Sequence, residues 1–340
     1  MHRASVWGRD LAVQVETMIQ IADAMATGKL TEADDLIAQV QVIPGMQPMA
    51  GSLSRLRGDI HVRNGDAKGA LSHYTEAIQA NPYIPGVQSD RAWVRHGMGD
   101  RKGAIADFTE SLRLRPGDLQ TLMGRARARG EEGDAAGELE DCDAAVRLAP
   151  ELTAARYQRG VARLRQKDAN GAVADLESVV AETSRDVQAW LQLAAARQAL
   201  GDHAGAIAAC DALIAFEPKN AAAFQSRGFA RKQKGEIDAA IADFDRAIEL
   251  KPAYPEALNN RGRAKYAKDD FDGAIADYSE AIRLKPDHVE GIGNRGRAKE
   301  RKGDLAGALE DYDLALKLAP ADWPHRALLE KLRAEALQKR

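Results

Sequence analysis

An all-α solenoid of antiparallel helix pairs is the fold this sequence predicts, and three observations predict it. Prolines recur every 34 residues, at Pro48, Pro82, Pro116, Pro150, Pro218, Pro252, Pro286 and Pro320, with Ser184 the one break in the series. A fixed period of this length marks a repeat protein. With each repeat numbered 1–34 and the proline at place 32, Gly65, Gly99, Gly133, Gly201, Gly235 and Gly303 all fall at place 15. Size alternates in the same phase. Place 8 is always small (Gly58, Ala92, Ala126, Gly160, Ala194, Gly228, Gly262, Gly296) and place 20 is Ala in seven of eight copies. Place 24 is larger or softer: Tyr74, Phe108, Cys142, Leu176, Cys210, Phe244, Tyr278, Tyr312.

The clearest copy is Pro255 to His288. Its first half, Pro255–Lys268, and its second half, Phe271–Leu284, each read as a helix. Glycine at place 15 tolerates the left-handed conformation that ends the first helix. Proline at place 32 stops the second, having no N–H to donate. Small residues at places 8 and 20 let the two backbones approach, and place 24 fills the groove between them. One pair cannot bury its apolar face alone, so neighbours must stack into a continuous core.

The pattern resembles the tetratricopeptide repeat family, over eight unbroken copies from Gly51 to Asp322. Asn260-Arg261-Gly262 and Asn294-Arg295-Gly296 are similar to the bacterial subtype that carries Asn-Arg-Gly. The resemblance implies a right-handed superhelix, with first helices lining a concave groove that binds proteins or peptides.

Residues 1–50 form a divergent first unit, expected to be a cap: a helical pair over 1–42 and a connector over 43–50. Val6 to Met25 has helical apolar spacing through Leu11, Val15, Met18, Ile19 and Ala22. Gly28 to Ala33 resembles the repeat turn but is out of phase with the frame downstream. Repeats occupy 51–322. The third and fourth copies, Leu119 to Asp186, are the weakest: Glu138 replaces the small residue at place 20, Lys167 the turn glycine and Ser184 the proline. Gly124 and Gly130 each cost their helix about 1 kcal/mol relative to Ala. Residues 323–340 read as an amphipathic capping helix with Leu328, Leu329, Leu332 and Leu337 inward and Lys331, Arg333, Lys339 and Arg340 in water.

Two charged rows run through the array. Place 7 is Arg in seven copies and place 23 is Asp in six. The copy that lacks the arginine, with Leu193, also lacks the aspartate, with Ala209. This covariation predicts an internal ion pair between the two helices of each repeat, in preference to a basic stripe for phosphates. In the first copy His73 takes the aspartate's place 23, and His61 takes the basic place 11. Place 11 is basic from Arg95 through Lys299, with a structural role or a place at the repeat junction equally open.

Places 2, 5, 6, 9 and 12 face the groove in the family resembled here. Place 6 is polar through Gln158, Gln192, Ser226, Asn260 and Asn294. Side-chain amides both donate and accept, so such a ladder suits an extended peptide backbone. Around it lie Gln225, Phe229, Lys232, Asn259, Arg263, Tyr266 and Arg297. Arg263 and Arg297, one repeat apart, could grip a carboxylate bidentately. The Lys/Asn/Arg clamp with which chaperone-binding members hold a terminal carboxylate lacks matching lysines. Trp93, His96 and Tyr157 add an apolar patch farther up or pack between repeats.

The expected function is therefore a non-enzymatic interaction scaffold, with a protein or peptide partner and no cofactor. Two other readings stand beside it: a recruiting module for an enzyme on another domain or subunit, and a self-assembling homo-oligomer. A formal charge of −3 argues against nucleic acid. No apolar run is long enough to span a bilayer. Met1 to Asp10 has no apolar signal core, which points to the cytoplasm. Gly291 to Gly296 spells GxGxxG, but inside a helix, where the dinucleotide fingerprint does not function. The seven histidines show no metal spacing. Cys142 and Cys210 share a buried place two repeats apart, too far for a disulfide.

Overall fold

Alanine, glycine and one large side chain at fixed places bring paired helices close together, and the fold is that approach repeated. The computed structural model describes residues 15–41 and 49–339. No strand occurs among them: helices span 15–26 and Leu30–Gln41, two follow in every repeat from Ala50–Arg63 to Leu305–Leu318, and Arg326–Lys339 comes last. The chain divides into two compact units between Gln166 and Lys167, inside the turn of the fourth repeat. Within each unit, successive helices pack against one another. Among the described residues no helix is long and apolar enough to cross a membrane. Most of the expected connector, 43–48, and the start of the first helix, with Val6 and Leu11, lie outside the described residues.

The pairing rule is visible at places 8 and 24. A Cβ added at Gly262 would stand 2.7 Å from the Tyr278 ring, and one at Gly296 2.8 Å from the Tyr312 ring. Place 15 holds the left-handed conformation even without glycine, with Lys167 at φ 62° and Asp269 at φ 60°. The next residue is usually an aspartate that caps the second helix. Asp100, Asp202, Asp270 and Asp304 each accept the backbone N–H of the glycine three residues on, at 2.8–2.9 Å. Repeat 6 has Glu236 and Ala239 instead, and no such cap.

The charged rows form the expected pairs and extend them. Arg91, Arg125, Arg227, Arg261 and Arg295 each bond both oxygens of the aspartate 16 residues on, as in Arg125 Nη2–Asp141 Oδ1 at 2.6 Å and Nε–Oδ2 at 2.9 Å. These aspartates are at most 6% exposed. Each arginine also donates to the second helix of the preceding repeat, as in Arg261 to Asp245 at 2.6 Å and Arg91 to Thr75 at 3.2 Å. Place 11 closes the network: Arg95, Arg129, Arg231, Lys265 and Lys299 reach the same aspartates at 2.8–3.0 Å. In repeat 1 the rule gives way. Arg57 pairs with Asp34, 2.7 Å away, while the His61 and His73 rings lie beside each other at 4.9 Å, bonded to Asp66 and Glu76.

In the N-terminal unit, Ile21, Ala24 and Met25 join Ile37, Val40 and Leu53 in one cluster. The inward face thus differs from the expected one: Val15 and Ile19 are exposed, because the second helix and repeat 1 approach from the side of Met18 and Ile21. Gly124 and Gly130 are packing requirements. A Cβ at Gly124 would meet Phe108 at 2.7 Å and Trp93 at 2.8 Å, and one at Gly130 would meet Glu138 Oε1 at 2.5 Å. Glu138 is buried, pairs with Arg165 and leaves its Oε2 without a hydrogen bond. Trp93 stacks edge-on against Phe108 and His96.

In the C-terminal unit, Leu193 and Ala209 are both buried where other repeats carry the ion pair. The final helix begins later than expected, at Arg326, and turns a different face inward. Leu329 and Ala336 are buried against Ile292 and Tyr312, Leu332 is half-buried, and Leu328 and Leu337 are exposed. Close approach selects the small Ala336 over its leucine neighbour. Lys339 reaches Glu300 at 2.7 Å and Arg333 pairs with Asp313, while Arg340 lies outside the described residues. Cys142 and Cys210 are free, and burial pushes both thiols up to about 12.

Candidate peptide-binding groove

Four first helices position the candidate residues of the C-terminal unit: Val187–Ala199, Ala221–Lys234, Pro255–Ala267 and Val289–Lys302. Because every repeat has the same length, places 5, 6 and 9 recur on one side of successive helices. Two adjoining pockets of about 310 Å³ each lie along that side. Gln225, Ser226, Phe229, Asn259 and Asn260 line one, with Gln198, Glu256 and His288. Arg263, Tyr266, Asn294 and Arg297 line the other, over Tyr278 and beside Trp323, His325 and Leu328. Glu290 lines both and makes one track of them.

Nine of the twelve residues expected in the groove therefore line this track. Lys232 stands next to it, its ammonium 5.3 Å above the Phe229 ring. Gln192 is half-buried on the first helix of repeat 5 and lines neither pocket. Gln158 belongs to the other unit, where its buried Oε1 has no hydrogen bond. The amide ladder is partly self-satisfied: Asn294 donates to Asn259 at 3.2 Å, and both Asn259 and Asn260 are buried. Gln198 donates to the Ser226 carbonyl at 3.2 Å.

Arg263 bonds Glu290 at 2.9 Å. Arg297 lies 5.4 Å over the Tyr266 ring and, like Lys232, makes no hydrogen bond or ion pair among the described residues. Burial pushes the Lys232 ammonium down to about 8, the Arg263 charge adds to that, and Glu290 opposes it. His288 accepts the Gly291 N–H on Nδ1 at 2.8 Å and so starts the first helix of repeat 8. No group of three or more His, Cys, Asp or Glu suited to a metal occurs among the described residues.

Sequence reasoning passed over Glu256, Glu290, Gln198 and the Trp323–Leu328 wall. The two glutamates stand at place 2, already a groove place, so the repeat frame itself would have found them. Trp323 to Leu328 continue the same frame beyond the last repeat, where Leu328 takes place 6.

Four stretches match models of one family. Residues 157–221, 255–288 and 289–322 match models described as tetratricopeptide repeat, and 228–269 one described as TPR repeat. Proteins built from these repeats generally mediate protein–protein interactions. No curated protein is significantly similar to the sequence. Among solved structures, a tetratricopeptide repeat protein from Parabacteroides merdae ATCC 43184 superposes with a TM-score of 0.61 at 18% identity, over 74% of this chain and 99% of that one. The APC/C hetero-tetramer Cut9–Hcn1 gives 0.58 at 15% identity, over 90% of this chain and 59% of that one. At these identities the likeness is one of fold, an all-α helical-repeat solenoid.

Proposed function

We infer that this chain, whose residues 157–221 and 228–322 match tetratricopeptide-repeat models, works as a non-enzymatic scaffold that binds an extended segment of a partner protein along the first helices of repeats 5–8. The observation that carries this reading is the track of two adjoining pockets joined at Glu290. It offers amides for a peptide backbone, aromatic and leucine surface for side chains, and a cation, Arg297, that makes no ion pair among the described residues. That mixture fits a peptide, since recognition sites combine apolar surface with a few placed polar groups. The arginines of place 7 are neutralised by buried aspartates, which supports a protein partner over a polyanion. Asn260-Arg261-Gly262 and Asn294-Arg295-Gly296 favour the bacterial Asn-Arg-Gly subtype. In that tripeptide the asparagine faces the groove, the arginine holds the ion pair and the glycine admits the tyrosine ring.

The test is a pull-down from native lysate, comparing wild type with an Asn260→Ala/Asn294→Ala/Arg297→Ala variant that keeps its native circular dichroism. A partner held by wild type and lost by the variant is expected. A partner held equally by both would move the site out of the groove.

A further inference from the structure

Tyrosine occupies place 24 in repeats 1, 7 and 8, and two of the three hydroxyls have a carboxylate of their own. Tyr74 donates to Asp59 at 2.6 Å and Tyr312 donates to Glu300 at 2.8 Å. Each acceptor stands on the first helix of the same repeat, at place 9 or place 12. In repeat 7 those places hold Arg263 and Tyr266. Tyr278 is 1% exposed, and its hydroxyl makes no hydrogen bond among the described residues, although the side chain lines the second pocket. The hydroxyl is not sealed from solvent and opens into that pocket. The charges acting on this one come first from Arg263 and Arg297. Glu290 occupies Arg263, while Arg297 makes no ion pair among the described residues and feels Glu300 only at longer range. An unbonded donor on the pocket wall and a cation with no ion pair among the described residues thus share a pocket that lacks the acceptor found at place 9 or 12 in two other repeats.

We propose that the partner supplies that acceptor: the pocket receives an aspartate or glutamate side chain of the bound segment, its carboxylate accepting hydrogen bonds from the Tyr278 hydroxyl and the Arg297 guanidinium. The wall of Trp323, Leu328 and Leu332 receives an apolar side chain next to it in the segment. The inference rests on the groove-binding reading and adds to it a partner class, an internal acidic–apolar motif.

Two acetyl- and amide-capped nonapeptide pools test it, one with Glu fixed at the centre and one with Gln, the other positions drawn alike from Ala, Leu, Phe, Ser and Gln. Each fluorescent pool is titrated with the full chain and read by anisotropy. The Glu pool is expected to bind about tenfold more tightly, the scale of one charge-assisted hydrogen bond. That preference should fall to near parity in Tyr278→Phe, which keeps the ring over Gly262, and in Arg297→Gln, a surface change. Tyr74→Phe should leave it intact. Equal binding of the two wild-type pools would overturn the inference, as would a preference that survives both groove variants. Tighter binding by a Gln pool with a free C-terminus would assign the pocket to a terminal carboxylate and overturn it too. Failure of both pools on wild type would overturn the groove reading itself.

Discussion

Asp277 accepts two hydrogen bonds from Arg261 and one ion pair from Lys265 while only 4% exposed. Removing it leaves two cations facing a buried void. Asp277→Ala should therefore cost about 3–5 kcal/mol in chemical denaturation, the usual penalty for breaking one side of a buried pair. An unchanged melting temperature would contradict that role. Lys232 makes the opposite prediction. Its folded value is lowered from 10.5 to about 8, so between those values the unfolded chain holds a proton that the folded chain releases. Stability from this group then rises with pH across that window. Lys232→Met should be the more stable protein at pH 7, by on the order of 2 kcal/mol, with the gap closing by pH 10.5. Denaturation at both values checks it. The Arg–Asp pairs were readable because Leu193 and Ala209 change together within one chain. Lys232 was not, because its value depends on burial and on residues one and two repeats away.

At the scale of the helix, Glu138 and Gly130 belong together. A Cβ at Gly130 would meet the buried carboxylate, so Gly130→Ala alone should destabilise. Glu138→Ala restores the small residue found at place 20 in every other repeat. With that carboxylate gone and the Arg165 guanidinium, the nearest group to such a Cβ, released from it, Gly130→Ala should contribute about 1 kcal/mol of helix propensity. A double-mutant cycle should show this reversal of sign, and additive effects would contradict the contact. Capping follows the same logic: Asp270→Ala should cost about 1 kcal/mol by thermal denaturation. The pairing of aspartate at place 16 with glycine at place 19 stands in the sequence, where repeat 6 changes both, but the sequence reading passed over it. The inward face of the last helix was not. Once the repeat ends, periodicity allows more than one leucine face, and only packing against Ile292 and Tyr312 selects Leu329 and Ala336.

At the scale of the molecule, the repeat frame alone gave the helix pairs and their order, because each repeat meets only its neighbours, while the expected groove places came from the family resemblance. It could not give the two compact units or the wall that Trp323 and Leu328 add to the second pocket. The irregular third and fourth repeats coincide with the boundary at Lys167. Amides across 119–186 should therefore exchange faster than those across 221–322, and equal protection would contradict a local weak point. The central claim is that partners bind along the first helices of the C-terminal unit. The most direct measurement is photo-cross-linking in native lysate with benzoylphenylalanine placed singly at Phe229, Leu328 and Leu314, the last an exposed residue on the second helix of repeat 8. The account predicts one partner segment, rich in acidic and apolar residues, joined at Phe229 and Leu328 and absent at Leu314. Adducts at Leu314 with none at Phe229 or Leu328 would contradict it.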